Sequence, residues 1–382
     1  MKAPESARAE RYGMRIRFSL LLAVCADLAS ARLVPGDSRR GAALFESQHC
    51  VSCHGAPGRG GGSAPDLGRW TGRAFTPASL ATYLWNHAPA MWSAMKKAGI
   101  ETPSLDEQQS ADLFAYFHAH RYFEAPGEAG RGKQVFASAH CGACHPVRGK
   151  RSSGAPPPVE TWENVADPVS FTSSLWNHSA RMYAEMKSRK LDWPDLSAQQ
   201  LTDLLVYVRR LPGAHPADPV LNLADASEGE AVFRSKGCMA CHGAGPRALE
   251  QMRRRTLAGF AVAMWNHAPR MAATPPQLNP LEMQEIAGYL WSISYFDEPG
   301  DEKAGAKVYA RNGCQGCHAS STWMAPSLTR RAQPLHAIGV VSALWRHGPA
   351  MQARMQEQKM AWPLFKNNEM ADLIAYVNSK RD

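Results

Sequence analysis

Nowhere in the 382 residues does an apolar run reach the length of about 18 that a bilayer-spanning helix needs, which argues against an integral membrane body. The chain also lacks the depleted apolar content of a disordered polypeptide, since 45% of its residues are hydrophobic. Aromatic and basic residues are not interleaved as on an RNA-binding surface, so the formal net charge of +9 does not by itself indicate nucleic acid. Of the nine cysteines only Cys25 stands apart from a close sequence partner.

Cys25 belongs to an N-terminal segment that reads as an export signal. A basic stretch runs to Arg17, an apolar run follows from Phe18 to Cys25, and Ala29-Ser30-Ala31 supplies small residues for cleavage. The expectation is a signal peptide over 1–31 and a periplasmic or otherwise exported mature chain. Asp27 interrupts the tail of the run, and Met14 is an alternative start. Leu22-Ala23-Val24-Cys25 is a poor lipoprotein box, which makes a lipid anchor at Cys25 the lesser alternative, beside an ordinary buried helix. Cleavage removes five basic and three acidic residues and leaves a net charge of +7.

The other eight cysteines form four C-x-x-C pairs, and each is followed at once by histidine. They are Cys50 and Cys53 with His54, Cys141 and Cys144 with His145, Cys238 and Cys241 with His242, and Cys314 and Cys317 with His318. Cys-x-x-Cys-His is the attachment signature of c-type haem: two thiols add to two vinyl groups, and the adjacent imidazole is placed under the iron. A zinc site would pair one C-x-x-C with another or with spaced histidines. A disulfide framework suits an exported chain but leaves the histidines unexplained. The pattern therefore implies four covalently bound haem c groups. Their propionates, about eight negative charges in all, largely offset the basic excess of the bare chain.

Self-similarity extends well beyond these motifs. Nine residues before each first cysteine stands a glycine, with an aromatic four residues later: Gly41/Phe45, Gly132/Phe136, Gly229/Phe233 and Gly305/Tyr309. A Gly- and Pro-rich loop follows each attachment site. Then comes a block reading Leu84-Trp85-Asn86-His87, Leu175-Trp176-Asn177-His178, Met264-Trp265-Asn266-His267 and Leu344-Trp345-Arg346-His347. Each unit closes on an amphipathic stretch ending in Tyr116, Tyr207, Tyr289 or Tyr376. The periodicity implies a signal over 1–31 and repeats over 36–125, 126–215, 224–298 and 299–382.

The order of these parts resembles class I cytochrome c, in which a helix with an early glycine and aromatic runs into Cys-x-x-Cys-His and a distal methionine precedes a closing helix. The resemblance implies an all-α fold: four tandem class I cytochrome c-like helical domains, each wrapped around one covalent haem, with a role in electron transfer. The Trp-Asn-His block departs from that family's usual pattern.

Three residue series compete for the far side of each iron. Met91, Met182, Met271 and Met351 lead, each four residues after a histidine of the block. The histidines themselves, His87, His178, His267 and His347, share a helix face with them, so both can point to the haem while only one binds it. The third series is Met95, Met186 and Met355, for which the third repeat offers Pro275. A thioether raises the potential of the iron, and a second imidazole lowers it.

In class I cytochromes a proline carbonyl orients the proximal imidazole. Pro65 and Pro326 resemble that residue, Pro157 or Pro158 serves in the second unit, and the third has only Pro246. On both counts the third haem is expected to be the odd one. The leading functional expectation is an electron carrier passing electrons from haem to haem between redox partner proteins. The alternatives are a haem enzyme with one five-coordinate haem, such as a peroxidase or small-oxyanion reductase, and the electron-entry subunit of a larger oxidoreductase. Arg253-Arg254-Arg255, with Arg247 and Arg270, forms either a steering patch for an acidic partner or a solvated helix face.

Overall fold

The computed structural model describes residues 36–55, 62–64, 76–119, 125–150, 156–163, 165, 167–213, 226–243, 256–271, 275–292, 300–319 and 325–381. The proposed signal, Pro65, Pro246, Arg247 and Arg253–Arg255 lie outside them. No strand occurs among the described residues.

The helices recur in one order within each sequence repeat. The first repeat holds α1 (Ser38–Ser47), α2 (Cys50–His54), α3 (Pro77–Lys97) and α4 (Glu107–Ala119). The second holds α5 (Ala129–Ser138), a 3-10 turn Cys141–Ala143, α6 (Pro168–Ser188) and α7 (Ala198–Arg209). The third holds α8 (Ala226–Ser235), α9 (Met239–His242), α10 (Leu257–His267) and α11 (Pro280–Ser292). The fourth holds α12 (Glu302–Arg311), α13 (Gln315–His318), α14 (Ala337–Glu357) and α15 (Glu369–Ser379).

In every repeat the first helix crosses the last, and the leading glycine is the crossing point. A Cβ on Gly41 would collide with the carbonyl oxygen of Asp112; on Gly132, with that of Asp203; on Gly229, with that of Glu285; and on Gly305, with that of Asp372. The backbones touch, which only a residue without a side chain permits. One turn on, the aromatic meets the closing tyrosine. Phe45 lies 5.4 Å from Tyr116, Phe136 5.7 Å from Tyr207, Phe233 5.7 Å from Tyr289 and Tyr309 5.3 Å from Tyr376, between ring centroids.

The carboxylate at the crossing caps the entering helix. Asp112, Asp203 and Asp372 accept from the backbone N–H of Asp37, Glu128 and Asp301 at 2.7, 2.8 and 2.8 Å. Arg40 and Arg131 add two-pronged side-chain bonds to Asp112 and Asp203. In the third repeat the acid is Glu285, and burial with the nearby Glu228 and Glu282 raises its pKa.

The described residues belong to one compact unit, within which the first repeat packs with the fourth and the second with the third. Helix α3 packs against α14, joining the first repeat to the fourth, and α6 against α10, joining the second to the third. Ala88, Trp92 and Leu344 bury themselves at the first joint, where Gly348 leaves room for the Trp92 ring. Between the pairs, Trp291 stacks on Phe114 at 5.5 Å and on His118 at 5.2 Å.

Candidate haem sites

A left-handed residue breaks the chain out of each leading helix and into the attachment motif. His49 (φ 59°), His140 (φ 58°), Gly237 (φ 78°) and Gly313 (φ 65°) each immediately precede the first cysteine. None of the eight cysteines of the pairs is joined in a disulfide. Burial pushes Cys50 and Cys141 up to about 11, the reverse of the depressed value that activates a redox dithiol.

The sequence treats the two thiols of a pair alike, and the structure separates them. Cys50, Cys141, Cys238 and Cys314 pack against the apolar clusters. Their partners Cys53, Cys144, Cys241 and Cys317 stay outside those clusters: Cys53 and Cys144 are half-buried, and Cys241 and Cys317 are exposed. The difference follows from the entry geometry, since the left-handed residue delivers the first cysteine directly from the packed leading helix while the second lies three residues further out. Of each pair, then, one half-buried thiol packs against the core and the other does not.

Across from each of three motif histidines stands the histidine of the Trp-Asn-His block. The ring centroids of His54 and His87 are 6.1 Å apart, those of His145 and His178 6.2 Å, and those of His242 and His267 5.9 Å. Between His318 and His347 no such pair forms among the described residues. The third repeat, expected to be the odd one, thus sets its histidines as the first two do, and the fourth departs. Burial, then the facing His54, lowers the pKa of His87; burial, then His145 and Arg181, does the same for His178. Neutral imidazoles are the form that binds a metal.

The second nitrogen of the motif histidine is held where proline carbonyls are described. His145 Nδ1 lies 3.3 Å from the Pro157 oxygen, and His318 Nδ1 lies 2.8 Å from that of Pro326. Either bond requires the proton on Nδ1 and leaves Nε2 free for a metal. Trp162, which no repeat pattern singles out, also donates to the Pro157 oxygen and sets its ring edge-on to His145 at 5.2 Å. The expected role of Pro157 and Pro326 is thus present in the geometry.

The methionine series have other occupations in the fold. Met91 and Met182 sit half-buried on α3 and α6 against the apolar clusters, and Met351 lies half-buried on α14. Met271 is not on a helix face with His267, because α10 ends at His267, a 3-10 turn follows, and Met271 is extended. Met95, Met186 and Met355 mark helix ends. Their carbonyls accept from Ile100, Leu191 and Met360 at 2.9, 2.9 and 2.8 Å, around left-handed Gly99, Lys190 and Lys359. That is the Schellman stop.

The Trp-Asn pair reaches out of its own repeat. Asn86 Nδ2 donates to the Phe365 oxygen at 2.7 Å, and Phe365 N–H donates back to Asn86 Oδ1 at 2.9 Å. Asn177 makes the same two bonds with Leu278 at 2.6 and 2.8 Å, and Asn266 with Leu196 at 2.9 and 3.0 Å. Trp85, Trp176 and Trp265 donate their indole N–H to the carbonyls of Pro363, Pro276 and Pro194, each at 2.8 Å. Every one of these bonds crosses from one repeat to its partner.

Proline completes the clamp. Pro89 has no N–H to offer the Trp85 carbonyl four residues back, and the indole of Trp362 supplies a donor at 3.0 Å. Pro269 likewise leaves Trp265 without its i+4 donor, and Trp193 donates to that oxygen at 3.3 Å. The second repeat has Ala180 at this place, its partner loop has Pro275, and Ser179 Oγ binds the Trp176 oxygen instead. Arg270 lies exposed on the turn after His267; the arginine run it was grouped with is not among the described residues.

An all-helical scaffold that sets a C-x-x-C-His segment against a second neutral imidazole has the donor set of a c-type haem protein. Two stretches, residues 38–120 and 129–212, match the Cytochrome c family model. That likeness to cytochrome c domains, confined to these two stretches, supports covalent haem c and haem-based electron transfer there. No curated protein and no solved structure matches the chain.

Proposed function

We propose that the chain is an exported tetrahaem cytochrome c that passes electrons between redox partner proteins by way of its own haems. Cys50 with Cys53, Cys141 with Cys144, Cys238 with Cys241, and Cys314 with Cys317 carry the four groups, and His54, His145, His242 and His318 are the proximal ligands. The distal ligands are His87, His178 and His267 in the first three repeats, ahead of the Met91, Met182 and Met271 expected from the sequence.

The facing imidazoles carry this reading. With a metal–nitrogen bond of about 2 Å and a ring nitrogen about 1 Å from its ring centre, one iron between two imidazoles holds the centroids about 6 Å apart. The three pairs stand at 6.1, 6.2 and 5.9 Å. Haem supplies one-electron chemistry, and the protein supplies two imidazoles whose rings are held by packing and hydrogen bonds. Bis-histidine ligation favours low potentials, so the partners belong to the low-potential range. No helix among the described residues is long and apolar enough to cross a membrane.

The test is haem stoichiometry and ligation on the exported holoprotein. Four covalent haems per chain with a predominantly bis-histidine, low-spin signature support the proposal. Two haems per chain, or covalent haem on the first two motifs alone, sink it.

A further inference from the structure

We infer that the fourth repeat offers a binding site for a small external haem ligand, because among the described residues its distal histidine lacks the cross-repeat hydrogen bonds that flank the other three. The inference rests on the proposed tetrahaem reading. In the first three repeats the residue before the distal histidine is asparagine, bonded both ways to the backbone of the partner loop. In the fourth it is Arg346, whose guanidinium has no acceptor and cannot repeat the exchange.

A second clamp fails at the same place. Pro349 removes the N–H that would reach the Trp345 carbonyl, as Pro89 and Pro269 do for Trp85 and Trp265. Those two carbonyls receive an indole from Trp362 and Trp193 of the partner loop. In the first repeat, which partners the fourth, Thr102 stands before Leu105 where Trp362 stands before Phe365. A threonine lacks the reach of an indole. Nearest to Arg346 among the described cross-repeat bonds is that from Ser342 Oγ to the Leu105 oxygen, a full turn away.

The geometry of the site agrees with the loss of both clamps. His318 and His347 do not form the facing pair seen in the other three repeats. His347 is also followed by Gly348, where the others have Ala88, Ser179 and Ala268. The space a Cβ would take at Gly348 is filled by the Trp92 ring of the first repeat, so the segment is shaped for helix packing in place of ligand positioning. The distal position of the fourth haem is therefore open to competition by small haem ligands such as cyanide, while the first three are closed.

The experiment titrates the oxidised holoprotein with cyanide and reads the spin state and Soret shift. Saturation at one haem in four is expected. Restoring both clamps with R346N and T102W lowers the affinity about tenfold, the equivalent of one or two recovered hydrogen bonds. The reverse pair, N86R with W362T, opens a second site in the first repeat. Cyanide binding that R346N and T102W leave unchanged, or no binding to a protein with four haems, overturns the inference and leaves the tetrahaem reading standing. Fewer than four haems per chain overturns the tetrahaem reading itself, and pyridine haemochrome content distinguishes the two failures.

Discussion

Asn86 and Phe365 exchange two hydrogen bonds, at 2.7 and 2.9 Å, across 279 positions of sequence. The residue after Asn86 is His87, so the imidazole facing His54 in the first repeat is steadied by a loop of the fourth. The same link joins Asn177 to Leu278 and Asn266 to Leu196. The placement of the facing imidazole in one repeat is thereby tied to the packing of another.

Replacing Asn177 with alanine removes both of its cross-repeat bonds and strands the Leu278 N–H. A loss of about 1–3 kcal/mol is expected. Denaturant unfolding of the holoprotein measures it, and the EPR signal of the haem in the second repeat should shift while that of the first does not.

Gly132→Ala drives a methyl group into the Asp203 carbonyl oxygen, backbone against backbone. Overpacking at such a crossing costs about 1–3 kcal/mol or more. Gly99→Ala, with nothing within 4 Å of its Cβ position, costs only the strain of a left-handed alanine at φ 69°, about 1 kcal/mol. The ranking of the two variants in thermal unfolding checks the crossing-point argument.

Much of this was legible in the sequence because it is local. The glycine, the aromatic four residues on and the closing tyrosine are fixed by one helix crossing, and the attachment motif by the chemistry of the haem. Pro157 and Pro326 were readable for the same reason. The unequal packing of Cys50 and Cys53 was not, because it depends on what the leading helix packs against. Nor was the pairing of the first repeat with the fourth, since four similar surfaces do not announce which of them meet. Trp85 and Asn86 looked like part of the ligand block because nothing nearby in sequence shows that their partners lie at 362–365. His87 and Met91 share a helix face, so spacing alone left the ligand open, and only the fold shows that the His87 ring faces His54.

The carboxyl of Asp203 is opposed by burial, but hydrogen bonds from Arg131, the Glu128 N–H and Gln199 outweigh it and hold the pKa below the usual value. A carboxylate depressed in the folded state stabilises above its unfolded pKa of about 3.9 and loses that contribution as pH falls through the folded value. Wild type should therefore lose stability below about pH 4 more steeply than D203N. Equal acid limbs for the two proteins would contradict the assignment.

His118 is fully buried on Trp291, and burial holds its pKa down to about 3. Its neutral form is the folded one. The unfolded chain takes up a proton near pH 6.5 and the folded chain does not, so stability falls as pH drops from about 6.5 toward 3, by a few kcal/mol at most. His118→Phe keeps the stacking and removes this titration, and its stability should fall less steeply over that window than that of wild type.

Trp92 Nε1 is buried without a hydrogen-bond partner. Trp92→Phe deletes an unsatisfied donor as well as ring area, so the two effects oppose and the net change should stay within about 1 kcal/mol. Gly348→Ala, pressed against that ring, should be the more damaging change at the joint between the first and fourth repeats.

Near-infrared magnetic circular dichroism of the oxidised holoprotein, read together with haem content, tests the central claim most directly. The account predicts four covalent haems with the bis-histidine signature from at least three. A spectrum dominated by histidine–methionine charge transfer would contradict it and return the distal position to Met91, Met182 and Met351.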